Sequence, residues 1–147
     1  MKKKYISLIL LIFWLVVIFG LSNQQAEASS NLSNGLLEKI AMFFNISNIP
    51  DFVERFAKLI RKCAHFGEYF ILGILAYNTA KGFKIRKPIL ITFLFCFMFA
   101  ISDEIHQLFI SDRSGNVVDV VIDAIGSLSS IFLIHLIEKK CFQEKKH

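Results

Sequence analysis

Only 2 prolines interrupt the 147 residues, and the 3 cysteines are too few and too scattered to brace a fold. Cys63 falls at the edge of one apolar run, Cys96 inside another and Cys141 in a basic tail. Three different depths exclude a native disulfide framework. No H-E-x-x-H or paired-histidine spacing is present, so although Asp, Glu and His side chains are suited to divalent cations, no metal and no cofactor is expected. Ser102, Ser111 and Ser114 stand in no recognisable nucleophile elbow. Internal repeats and low-complexity tracts are absent too.

Apolar residues dominate instead: 54% of the chain is hydrophobic, 16 residues are Phe, and mean hydropathy is +0.54. A soluble domain sits nearer about 45–50% apolar. Four apolar runs, 5–21, 64–80, 88–110 and 117–137, approach the length of about 20 residues that crosses a bilayer core of roughly 30 Å. The fold class is therefore all-α, a polytopic membrane helical bundle with four transmembrane helices. Lys2–Lys4, the first apolar run and the later "AEAS" also have the layout of a secretory signal with its cleavage site. The run is longer than most signal cores, which favours a retained first span.

The net charge of +5 carries topology. With four spans both termini share one side, and that side holds 11 of the 17 basic residues: Lys2, Lys3 and Lys4, the "KGFKIRK" loop and the tail. The other side collects ten of the 12 acidic residues. The positive-inside rule then places both termini in the cytoplasm of a multi-pass plasma membrane protein. The basic groups meet anionic lipid heads, and nucleic acid is not an expected partner.

Between the first two spans lies an external segment, 22–62. After Ser33, a suitable N-cap, Leu36, Leu37, Ile40, Phe43 and Phe44 form one helical stripe. "NISNIP" breaks it, and Pro50 suits the first turn of a second amphipathic helix with Asp51 and Glu54 near its positive end. Phe52, Phe56, Leu59 or Ile60, and Cys63 repeat along that helix. The pair is expected to lie in the outer interface or to cover the bundle.

The chemistry concentrates in the seams. Arg61, His65 and Glu68 stack on one helical face, with Tyr69 beside them. Asp103 and Gln107 share a face at the end of the third span, with Glu104 one step round; His106 points elsewhere and Asp112 reads as a turn residue. Asp119, Asp123, Gly126 or Ser127, and Ser130 line the start of the fourth span, the small ones permitting close helix approach. In this topology all these groups, with Arg113, lie in the outer third of the bundle. A carboxylate at mid-bilayer costs about 2.5–3.5 kcal/mol on insertion scales, so they are expected to face one another in one polar pocket open to the outside. An ion-pair network that only fixes helix register is the alternative. The Lys/Arg group, Ser-Gly-His turn and Arg–His pair of membrane phosphatases occur only as the fragment "DRSG".

Set side by side, "RKCAHFGEYFILG" and "SDEIHQLFISDRSGNVVDVVIDAIGS" closely resemble the VanZ-like family of small bacterial membrane proteins. The matching residues are His65, Glu68 and Tyr69; Asp103, Glu104, Gln107 and Phe109; Arg113; and Asp119, Asp123 and Gly126. "LSNQ" at 21–24 is similar to an element that follows the family's first span. Ser111-Asp112 stands where many relatives have Pro-Gly. The resemblance covers essentially the whole chain, one domain over 1–147, and implies a link to low-level resistance to the glycopeptide teicoplanin. The expected function is an envelope protein whose outer pocket binds a lipid-linked wall precursor, a lipid head group or the glycopeptide. Arg61 and Arg113 would hold phosphate or carboxylate, while Glu68, Glu104, Asp119 and Asp123 accept hydrogens. Tyr69, Asp103 and Gln107 complete that set of ligand-binding residues. The alternative is a membrane enzyme acting on an envelope lipid, with His65, Glu68 or Glu104 as the acid–base group. A transporter is disfavoured because the cytoplasmic half is read as almost purely apolar.

Overall fold

The computed structural model describes residues 2–22, 26–109 and 115–144, with the backbone alone at 26–34 and at Phe142. It contains five helices: α1 (Lys2–Ser22), α2 (Ala26–Phe43), α3 (Ile49–Gly82), α4 (Pro88–Gln107) and α5 (Val117–Glu144). No strand occurs among the described residues. The element "LSNQ" lies partly outside them, and Arg113, Asp112, Ser111 and Ser114 wholly so.

Three helices are long and apolar enough to cross a membrane: α1, α4 and α5 as far as Cys141. The run 64–80 is the second half of α3, where His65, Glu68, Tyr77 and Asn78 dilute the apolar content. Helix α4 ends at Gln107, within the apolar run 88–110, while α5 continues past 137 to Glu144.

The segment 22–62 departs most from expectation. Helix α2 begins at Ala26, so Ser33 lies within it and not at its start. The helix predicted from Pro50 does not stop before the apolar run; it continues as α3 for 34 residues. Asn48 accepts from the Asp51 N–H at 3.4 Å, Pro50 sits in the first turn and Asp51 meets the positive helix end, so initiation is well marked. Nothing after Pro50 can break the helix, since the next proline is Pro88. At 1.5 Å per residue α3 is about 50 Å long, well beyond a bilayer core. Its first half carries the exposed pairs Arg55–Asp51 and Lys58–Glu54. There α2 packs on α3 and, among the described residues, on no other helix. Leu37, Ala41 and Val53 are buried at that end, whereas Leu36, Phe43, Phe44, Phe56, Leu59 and Ile60 stay exposed.

Helix α3 is the hub, packed against all four others. The core comprises Leu11, Ile18, Tyr69, Leu72, Ala76, Cys96 and Ala100. On α5 the buried residues are Asp123, Gly126, Ser127, Ser130 and Ile131, small or polar apart from the last. Large apolar side chains point outward on α1, α4 and α5, among them Ile9, Phe13, Val16, Met98 and Phe132. That pattern suits hydrocarbon as solvent. Trp14 fixes α1 against α3, its indole N–H donating to the Glu68 carbonyl at 2.9 Å. Trp14→Phe keeps an aromatic ring and loses the bond, so unfolding in mixed micelles should show a loss of about 0.5–1.5 kcal/mol. A larger loss would mean that the indole shape, and not its N–H, holds the joint.

The two ends of the bundle differ in charge. Ser7 Oγ meets Thr79 Oγ1 at 2.9 Å, Lys4 lies over the Phe83 ring and Lys81 pairs with Glu138. The start of α1 and the ends of α3 and α5 therefore share one end, rich in lysine. The end of α4 and the start of α5 meet α3 at the other.

Candidate functional site

At that second end three helices converge on a polar centre. Helix α3 supplies His65 and, one turn on, Tyr69; α4 supplies Asp103, Glu104 and Gln107; α5 supplies Asp123, with Asp119 one turn earlier. Tyr69 and Asp123 are fully buried, and His65, Asp103, Glu104 and Gln107 are at most 6% exposed. Asp119 is half-buried. Gln107 donates to Asp103 at 3.2 Å, which realises the shared face expected from their spacing. Glu104 Oε2 accepts the Asn116 N–H at 2.7 Å, and Asn116 Oδ1 accepts from Val118 N at the start of α5. Glu104 therefore anchors the first turn of α5 to α4. Gly115 comes so close to the Glu104 carbonyl that a Cβ there would lie 2.9 Å from it.

The centre leaves polar atoms without partners. His65 Nδ1 and Asp123 Oδ1 stand 3.3 Å apart, within ion-pair range but without the alignment of a hydrogen bond. Tyr69 Oη, Glu104 Oε1 and both Asp123 oxygens likewise find no hydrogen-bond partner among the described residues. Buried polar groups are nearly always satisfied, so orphans gathered in one place call for a further component. One donor atom from each of His65, Glu104 and Asp123 lies within 4.8 Å of the others. No short ligand motif marks this triad, because its members come from three helices.

The remaining predicted residues are placed as follows. Glu68 is half-buried on α3 within electrostatic reach of His65. Arg61 is exposed and lines a cleft with Glu38, Pro50, Glu54 and Lys58, where α2 meets the first half of α3. It stands apart from the buried centre. Arg113 falls outside the described residues. His106 is off the cluster face as expected, half-buried with its ring 4.7 Å from that of Phe19.

The lysine-rich end is less apolar than the sequence suggested. Tyr77 Oη lies 3.2 Å from His135 Nδ1 and donates to Glu138 at 3.3 Å, while Lys81 also reaches Glu138. Sequence reasoning passed over these groups. The available signal was the pairing of Tyr77 with Lys81 four residues on, and of His135 with Glu138 three on.

A family model described as VanZ/LLP1 matches residues 7–138, a stretch that includes every residue of the polar centre. No curated protein and no solved structure matches the chain.

Proposed function

The chain belongs to the VanZ/LLP1 family, and on that premise we propose that it is a cell-envelope membrane protein binding the polar head of a lipid-type ligand in its buried centre. In this reading α1, the second half of α3, α4 and α5 all cross the plasma membrane. Both termini and the lysine-rich end are cytoplasmic, and the polar centre opens outward. The first half of α3 and α2 lie outside, their exposed Phe43, Phe44, Phe56 and Leu59 suiting the interface. The ligand class is a lipid-linked wall precursor, a lipid head group or a lipid-tailed glycopeptide of the teicoplanin kind, and binding contributes to glycopeptide resistance.

One observation carries the reading. Unsatisfied oxygen and nitrogen atoms on three separate helices face one another under almost complete burial. A group that only fixed helix register would satisfy itself. Arg113 and, at the rim, Arg61 serve the ligand's phosphate or carboxylate.

Two measurements test this. With native cysteines replaced by serine, a single cysteine at 113 should react with a membrane-impermeant maleimide on intact cells, and one at 84 should not; the reverse pattern sinks the topology. Expression should raise the teicoplanin concentration needed to stop growth, and Glu104→Gln or Arg113→Ala, inserted at normal levels, should abolish the rise. Retained resistance in both variants would remove the pocket from the explanation.

The enzyme reading rests on Glu104 Oε1, which is buried, unpartnered and near His65, a placement suited to proton transfer. Envelope lipids whose chemistry changes with Glu104→Gln would select it over binding alone.

A further inference from the structure

The orphaned atoms of the polar centre share a chemical character. His65 Nδ1, Glu104 Oε1 and the Asp123 oxygens are all lone-pair donors to a cation, on side chains exposed by 6%, 6% and 0%. Among the described residues no lysine or arginine pairs with Asp103, Glu104, Asp119 or Asp123, and His65 is the one basic side chain in contact with them. Four carboxylates thus crowd one imidazole. Hydrogen bonds from Gln107 to Asp103 and from the Asn116 N–H to Glu104 relieve part of this. They leave Glu104 Oε1 and both Asp123 oxygens unpaired, and a bound cation would satisfy those.

We propose that His65, Glu104 and Asp123 together hold one divalent transition-metal cation, of the zinc or manganese class, through one donor atom from each of α3, α4 and α5. The inference uses the same cluster as the head-group pocket but requires neither a lipid ligand nor an outward opening. Metal bonds of about 2.0–2.2 Å put neighbouring donors about 3.4 Å apart in a tetrahedral site. The 3.3 Å between His65 Nδ1 and Asp123 Oδ1 already matches that edge without being a hydrogen bond. Glu104 has only to close within the 4.8 Å already spanned by the three donors. Its second oxygen is held by the Asn116 N–H, the outer-shell contact that orients a metal-bound carboxylate. One imidazole with two carboxylates favours zinc or manganese, because calcium and magnesium prefer oxygen alone. Two carboxylates, a neutral imidazole and a dication sum to zero charge, which suits a buried place in a membrane protein. Three protein ligands leave a position open, and an anionic oxygen of a bound head group would complete it.

The test uses the full chain, purified without a histidine tag in nanodiscs, stripped with chelator and titrated with zinc, manganese, magnesium and calcium. Retention of one zinc or manganese per chain is expected, with magnesium and calcium failing to compete. Glu104→Gln, Asp123→Asn and His65→Gln should each weaken binding by at least about tenfold, the lower end of what even outer-shell changes cost. His135→Gln should leave it unchanged. Should a variant lose its helical spectrum, X-ray absorption on the wild-type protein decides: one imidazole among oxygen donors supports the site, and sulfur ligation overturns it. No retained metal, or binding indifferent to all three variants, also overturns it. Neither result touches the maleimide and resistance tests, so the head-group reading stands or falls separately.

Discussion

His65→Leu is expected to destabilise the chelator-stripped protein by about 3–5 kcal/mol, the cost of leaving a buried charge without its partner. Asp123 is fully buried, and among the described residues His65 is the only basic group in contact with it. Among the described residues the charged neighbours that remain are acidic: Asp103 and Glu104 from α4 and Asp119 on α5. Removing the imidazole leaves carboxylates facing carboxylates. The double variant His65→Leu/Asp123→Leu should recover most of the loss, because an apolar pair of similar volume often replaces a buried ion pair without penalty. Reversible unfolding in mixed micelles, followed by helical circular dichroism, measures both. The recovered double variant should still lack ligand and metal binding, which separates a folding role from a functional one. A single variant within about 1 kcal/mol of wild type, the ordinary effect of a substitution, would show that Asp123 is already neutralised by other means.

Much of this centre was legible in the sequence. Asp103 and Gln107 sit four apart, and their side chains do bond. Spacing puts His65 on one face of α3, Asp123 on one stripe of α5, and Asp103 on a face of α4 with Glu104 one step round, and all four are buried where the three helices meet. Helical spacing fixes which residues share a face but not how far along it a neighbour extends. Arg61 shows the limit: it shares the His65 stripe, yet the cluster occupies the last turn of α4 and the first two of α5. One turn further up α3 little of either helix remains to cover a side chain. The continuity of α3 was hidden because amphipathic and apolar periodicities join without a breaker between them. The contact of Tyr77 with His135 was not legible because spacing within one helix marks Tyr77 with Lys81 and His135 with Glu138, but not the pairing of two helices across 58 residues. Short motifs record ligands on one element, so none marks His65, Glu104 and Asp123, which come from three.

Gly126→Val should be the most disruptive single change outside the polar centre, costing about 3 kcal/mol or more, at the upper end for overpacking a tight contact. A Cβ on Gly126 would lie 2.5 Å from the Phe66 carbonyl oxygen, and that obstacle is backbone. No side chain can swing away, so α3 and α5 must separate. At Gly73 a Cβ meets Ser130 Oγ first, which can rotate, and then the Ser127 carbonyl at 2.7 Å, which cannot. Gly73→Ala should therefore destabilise less than Gly126→Val but still measurably. Gly67 supplies the control: its Cβ would touch nothing within 4 Å, so Gly67→Ala should be neutral or stabilising by up to about 1 kcal/mol from helix propensity. The same joint sets the chemistry. Phe66 adjoins His65, and Gly126 lies one turn beyond Asp123, so prising the helices apart there widens the 3.3 Å gap between imidazole and carboxylate. Gly126→Val should thus lose ligand and metal binding along with stability, while Gly67→Ala keeps both. Equal stability in the two variants would mean that α3 and α5 do not approach through these glycines, and the three-helix centre would lose its frame.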